Sequence, residues 1–230
     1  MKKLLANKSC MHGKRSRKSI FFIVIHYTGN NGDTALDNAK FFQKEQTGAR
    51  NGVGAHFFVG KKGKAVKSIP MNQIAWSVGG FYSKNKGAGK YYNECTNANS
   101  VSIELCDATK GYTYEQAKAV KKLIKYIKRY CPNAKTVIRH WDVNGKDCPA
   151  PFTGNGNEKW TEFKRFITVG YKFTAVVTKD AALRSKPKLG AVNKKGTVKK
   201  GTKVKIVKLN GNWGLSDNGY WISLEKVKEI

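Results

Sequence analysis

His140 and Cys148 stand eight residues apart in the run I-R-H-W-D-V-N-G-K-D-C-P-A-P-F, from Ile138 to Phe152. Asp142, Gly145, Lys146 and Asp147 lie between them. An imidazole and a thiol flanking a short polar loop suit zinc, and the spacing matches none of the tight pairs of a structural finger. A catalytic zinc takes three protein ligands and keeps a fourth position open. The stretch therefore calls for a third ligand, and for an acid or base, elsewhere in the chain.

The run Ile20 to Tyr27, I-F-F-I-V-I-H-Y, is apolar and rich in β-branched and aromatic residues, as a buried central strand is. His26 falls at its carboxyl end, before the turn-rich Thr28-Gly29-Asn30-Asn31-Gly32. Sites in open α/β sheets lie outside the carboxyl ends of strands, which makes His26 the natural third ligand. A histidine merely satisfied at a strand end is the alternative. Val101 to Cys106, V-S-I-E-L-C, reads as a second strand. Alternation sets Val101, Ile103 and Leu105 on one face and Ser102, Glu104 and Cys106 on the other. A charge in a buried strand is costly without a partner, so Glu104 is expected on the polar side where a site would be.

Other elements must hold these residues in place. Asp33 or Thr34 can cap a helix running to about Gln46, with Ala35, Leu36, Ala39 and Phe42 on one face. Residues 50–54 read as loop. Ala55 to Val59 and Ala65 to Ile69 flank a Gly/Lys turn and form a hairpin. Residues 81–99 read as a long surface loop, of a kind that is often used for binding. Thr113 caps a helix, with Gln116 reaching back to it. Ala117, Val120, Ile124, Ile127 and Cys131 mark its buried face, a lysine row marks the other, and Pro132 ends it. Thr136 to Arg139 is a short strand that delivers His140, and Trp160, Phe163 and Ile167 mark a closing helix. After about Tyr171 short strand-like pieces alternate with Lys/Gly turns: Phe173–Thr178, Ala191–Val192, Val198, Lys203–Val207, Trp213–Leu215 and Tyr220–Ile222. This predicts a small all-β module.

The bulk properties narrow the function. The 230 residues are 40% hydrophobic and 11% aromatic, enough for a core. The net charge of +29, from 44 basic and 15 acidic residues, implies a polyanionic partner: nucleic acid, an anionic membrane or an anionic cell wall. The small module has 14 of those basic residues and 4 of the acidic ones, so both parts of the chain share the excess. Five cysteines, Cys10, Cys95, Cys106, Cys131 and Cys148, fit no disulfide framework and read as reduced thiols. The basic amino terminus has only Leu4-Leu5-Ala6 as apolar core, too short for a signal peptide, and no transmembrane run follows. These features predict a soluble chain made without an export signal.

His26 in I-V-I-H-Y-T-G, Glu104 in V-S-I-E-L-C, His140 in I-R-H-W-D-V and Cys148 in K-D-C-P-A-P-F together resemble the type-2 N-acetylmuramoyl-L-alanine amidases. These are the zinc amidases of phage lysozyme-amidases, bacterial autolysins and peptidoglycan recognition proteins. The likeness spans about Ile20 to Ile167, in order. The carboxyl-terminal module is similar to bacterial Src-homology-three-like wall-binding barrels, through A-A-L-R-S-K-P, K-K-G-T-K-V-K and W-G-L-S-D-N-G-Y-W-I.

The resemblance implies an α/β fold, a central mixed sheet flanked by helices with a zinc at the sheet edge, followed by a small all-β barrel. It divides the chain into a basic segment 1–19, a catalytic domain 20–168 and a wall-binding domain 172–230. It implies one zinc on His26, His140 and Cys148, with Glu104 as base and Lys146 facing the developing oxyanion. The bond cut would join N-acetylmuramic acid to L-alanine of the stem peptide. Two departures stand out. Ala55 occupies a place where some phage members have a catalytic tyrosine, and Ser77 follows Trp76 where many relatives have histidine. His56 and Trp76 remain candidate substrate contacts, each with a structural alternative. Peptidoglycan and anionic wall polymers are the expected partners. Nucleic acid is not, since no base-stacking array or recognised motif accompanies the charge. The expected role is a phage or prophage endolysin released through a holin. An autolysin or a non-hydrolytic peptidoglycan-binding protein is the alternative.

Overall fold

The computed structural model describes residues 1–45, 47–48, 51–168, 173–210 and 212–230, and divides into two compact units, Met1–Thr168 and Val169–Ile230. In the first, strand β2 (Phe22–Tyr27) lies inside a six-stranded mixed sheet of order β1-β4-β3-β5-β2-β6. The other strands are β1 (Lys2–Lys3), β3 (Phe57–Val59), β4 (Ala65–Lys67), β5 (Ser100–Leu105) and β6 (Thr136–Arg139). β2 runs parallel to both β5 and β6, and β3 runs parallel to β5. Ile23, Val24 and Ile25 are fully buried, as a strand covered on both faces requires.

The two faces of the sheet carry different loads. Helix α2 (Tyr114–Tyr130) buries Ala117, Val120, Leu123, Ile124 and Ile127, and its Tyr126 meets Phe57 edge-on. Phe57, Ile103 and Ile25 are in register, so α2 covers their face. Helix α4 (Glu158–Thr168) packs beside α2. On the other face, helix α1 (Ala35–Phe41) buries Ala35 and Ala39 against Phe58, Val66 and Cys106. That face carries His26 and Glu104, because Phe58, Glu104 and His26 are register partners.

Three local expectations are corrected. α1 begins at the Thr34 cap, closed by a reciprocal Asp37 bond, but stops at Phe41. The Phe42 carbonyl instead accepts the Asn7 N–H at 2.7 Å, and the Phe42 ring stacks on Phe58. The expected end at Gln46, and Arg50 of the following loop, lie outside the described residues. Second, Thr113 accepts the Gln116 N–H as a cap, but the Gln116 side chain does not reach back. It is fully buried and donates to the carbonyls of Val59 (2.8 Å) and Cys106 (2.9 Å), where β3 and β5 end. Third, residues 1–19 are no separate segment. β1 pairs in parallel with β4, and Cys10 is buried. The Arg15 guanidinium donates to the carbonyls of Met71 (3.0 Å), Asn97 (2.7 Å) and Ala98 (2.9 Å).

The second unit is a seven-stranded sheet of order β13-β7-β10-β11-β12-β8-β9, with every pairing antiparallel. Its strands are β7 (Phe173–Val177), β8 (Ala181–Arg184), β9 (Lys194–Val198), β10 (Lys203–Asn210), β11 (Trp213–Ser216), β12 (Trp221–Ser223) and β13 (Val227–Glu229). Ala191–Val192, expected as strand, precedes β9 in a turn closed by the Lys194 N–H on the Ala191 carbonyl, and Val192 is exposed. Ala175, Val177, Ala181, Val204, Ile206, Leu209 and Ile222 are its buried apolar residues. In neither unit is a helix long and apolar enough to cross a membrane, among the described residues.

Candidate metal centre

Parallel pairing brings the site together. Residues in register on parallel strands point to the same face, so His26 of β2 and Glu104 of β5 are side-by-side neighbours. Arg139 closes β6 opposite Ile25, and His140 begins helix α3 (His140–Asn144) directly after it. The strand-to-helix turn is fixed by Asp142, which accepts the Arg139 N–H at 2.8 Å and pairs with its guanidinium at 2.6 Å. That guanidinium lies 4.3 Å from the Trp141 ring centre. α3 ends at Gly145 in the left-handed conformation (φ 77°). A Cβ there would meet Ser83 atoms at 2.7 to 2.9 Å, so both conformation and space call for glycine. The chain then turns back, the Cys148 carbonyl accepting the Trp141 N–H at 2.9 Å. Phe152, beyond it, packs on Phe163 of α4.

The result is a buried cluster of His26, His140 and Cys148 whose ligand atoms lie within 4.8 Å of one another. The Cys148 Sγ is 3.8 Å from His26 Nδ1, and the two imidazole rings are 4.7 Å apart at 61°. His26 Nε2 and Glu104 Oε2 are buried without a hydrogen-bond partner. Neither His140 nitrogen makes a well-formed hydrogen bond, although the Gly79 carbonyl is near enough to favour the protonated ring. Buried polar atoms without partners are costly, and two imidazoles and a thiol turned toward each other are the donor set of a zinc site. The residues present therefore fit the metal that the sequence implies.

The protonation states agree with ligation by neutral imidazoles. Burial first, then the charges of His140, Lys146 and His56, holds His26 well below the ordinary histidine value. Burial, then Lys146, brings His140 down to about 3. The Cys148 thiol is pushed up by burial and then by Glu104, while the Tyr27 backbone N–H opposes the rise. A cation is what would reverse it. Glu104 is half-buried with Oε2 shut away from solvent, and burial raises it to about 7, against the pull of Lys146.

The remaining expected residues fall in different places. Lys146 is exposed on the turn between the ligands, within electrostatic reach of all four groups. His56 is fully buried, its ring held between Ser102 Oγ at 3.0 Å and the Arg15 guanidinium at 2.8 Å. Both ring nitrogens are thus engaged within the protein. Trp76 is half-exposed and stacked on His12 at 3.6 Å, and His12 Nε2 is fixed on the Gly52 carbonyl at 2.6 Å. The expected loop over residues 81–99 is pinned to α3. Ser83, Gly89 and Tyr91 donate backbone N–H groups to the carbonyls of Asn144, Trp141 and Asp142. Sequence reasoning missed Arg15, hidden among a basic run, and Asn144, which stood inside the ligand motif.

Residues 16–151 match the family profile of N-acetylmuramoyl-L-alanine amidase, and the chain belongs to this family. It is similar to N-acetylmuramoyl-L-alanine amidase CwlL of Bacillus licheniformis, 28% identical over 80% of this chain and 51% of the relative. It also resembles N-acetylmuramoyl-L-alanine amidase BlyA of Bacillus subtilis (strain 168), 27% identical over 63% of this chain and 40% of the relative. The chain thus spans about half the length or less of these curated relatives. Among solved structures, a mutant endolysin from Bacillus subtilis superposes with a TM-score of 0.54 at 22% identity, over 72% of this chain and 97% of that one. The PlyG catalytic domain gives 0.55 at 22%, over 74% and 93%. The solved structures show the fold alone, over 72% to 74% of the chain.

Proposed function

We propose that the protein is a zinc-dependent peptidoglycan hydrolase that cleaves the amide between N-acetylmuramic acid and L-alanine of the stem peptide. The observation that carries this reading is the buried His26–His140–Cys148 cluster with Glu104 beside it on the same sheet face. Family membership supports the choice of bond. Zinc on those three residues would supply Lewis acidity to the scissile carbonyl and to the attacking water. Glu104, shielded and raised to about 7, takes the water's proton and passes it to the leaving amine of L-alanine. Lys146 presents its ammonium to the developing oxyanion. The two imidazoles, held neutral by burial, keep their lone pairs for ligation.

On this reading the second unit is a Src-homology-three-like barrel that binds walls. The net charge of +29 suits anionic wall polymers better than nucleic acid, given the absence of a base-stacking array. The protein acts as an endolysin reaching the wall through a holin-made lesion. Mass spectrometry of digested peptidoglycan tests the proposal. Cleavage between muramic acid and L-alanine, abolished by a chelator and by Cys148→Ala, is the expected result. Glycan or cross-bridge cleavage would refute it, and binding without any cleavage would favour a non-hydrolytic recognition protein.

A further inference from the structure

Asn144 is almost fully buried, and every polar atom of its side chain is engaged. Its Nδ2 donates to the carbonyls of Val78 (3.2 Å) and Gly79 (3.0 Å). Its Oδ1 accepts the Lys146 N–H at 3.2 Å. Two carbonyls on one side and one N–H on the other leave only one orientation for the amide. The donor arm anchors the Val78–Gly79 segment, and the acceptor arm leads to the metal cluster. On the acceptor side, the Lys146 carbonyl accepts the Cys148 N–H at 2.7 Å, so the bond to Lys146 sets the turn that carries the thiol. The backbone of Asn144 adds a third tie, its carbonyl accepting the Ser83 N–H at 3.2 Å. No other standard side chain of this size supplies two donors and an acceptor without charge: aspartate lacks the donors, and leucine lacks all three.

We propose that Asn144 is a positioning residue for the metal centre, one buried amide that anchors the Val78–Gly79 segment to α3 and sets the Cys148 thiol through Lys146. The inference rests on the zinc reading of the cluster. Partners that orient ligands from outside the coordination shell typically govern about 10- to 100-fold in metal affinity.

Zinc titration of the full chain against a chromophoric chelator tests it. Asn144→Leu keeps the branched shape and removes both arms, and should weaken zinc binding by about 10- to 100-fold. Asn144→Asp keeps the acceptor for Lys146 and removes the donors. It should lose about 10-fold, and it decides the matter if the leucine variant does not fold. Melting temperatures with and without zinc separate positioning from bulk stability. Positioning narrows the gap between metal-loaded and metal-free protein, whereas a merely structural role lowers both equally. Wild-type zinc affinity and an unchanged gap in the variants would overturn the inference alone. A wild-type chain that binds no zinc would overturn the reading of the site as well.

Discussion

The central strands of the first unit run parallel, and β2 is apolar on both faces, whereas the second unit pairs antiparallel throughout and β10 alternates strictly at first. In β10, Val204, Ile206 and Leu209 are buried while Lys203, Lys205 and Lys208 are exposed, and a register shift between Ile206 and Lys208 keeps Leu209 inside. The difference has a chemical consequence. Parallel strands end at the same edge, so His26, Glu104 and the residue after Arg139 converge there. Antiparallel strands end at alternate edges and gather no such set. Among the described residues the one three-ligand group lies in the first unit. The second unit instead displays lysines along the exposed side of β10.

The sharpest way to break this contrast is at Glu104. Glu104→Gln should lower cleavage of purified walls by about 10²- to 10⁴-fold, as loss of a general base does. Zinc content and sedimentation with walls should not change. A parallel fall in wall binding would mean that the first unit, not the second, holds the polymer. Next in size is the core of the second unit. Ile206 is fully buried there, and Ile206→Ala should cost about 2–5 kcal/mol. Calorimetry of the full chain should show one transition lowered and the other unmoved. A shift of both would show that the units unfold together. The smallest effect concerns acid. All four histidines are in the first unit, and His56 is held down to about 3 by burial and then by Arg15. Below its ordinary value of 6.5 the unfolded imidazole binds a proton that the folded one refuses until about pH 3. Stability is therefore full above 6.5 and declines as pH falls toward 3. His56→Gln should flatten that decline in the first unit's melting temperature, and an unaltered slope would show that His56 does not titrate this way.

The strand carrying His26 and the one carrying Glu104 were legible because both signals are local: an apolar run ending in a polar residue, and a period of two. Their register could not be read, since pairing joins residues far apart in sequence. Gln116 shows the same limit. The T-x-x-Q pattern reads as a reciprocal cap, yet the side chain serves two strand-end carbonyls that only the folded sheet brings near. Arg15 was invisible among neighbouring lysines and arginines, because nothing local marks a cation whose acceptors are backbone carbonyls from distant loops. β1 escaped for the opposite reason: two lysines show no strand pattern at all.

That two-residue strand has a consequence for how copies of the protein coexist. It covers β4, whose outer row of backbone groups would otherwise be open to a strand from another chain. The edge it leaves is only Lys2–Lys3, short and exposed, with both side chains cationic. A second molecule approaching to extend the sheet would meet like charges over too few residues to register. At this edge, as distinct from the β6 edge, the short cationic arm disfavours strand addition, and more so at low salt than at high.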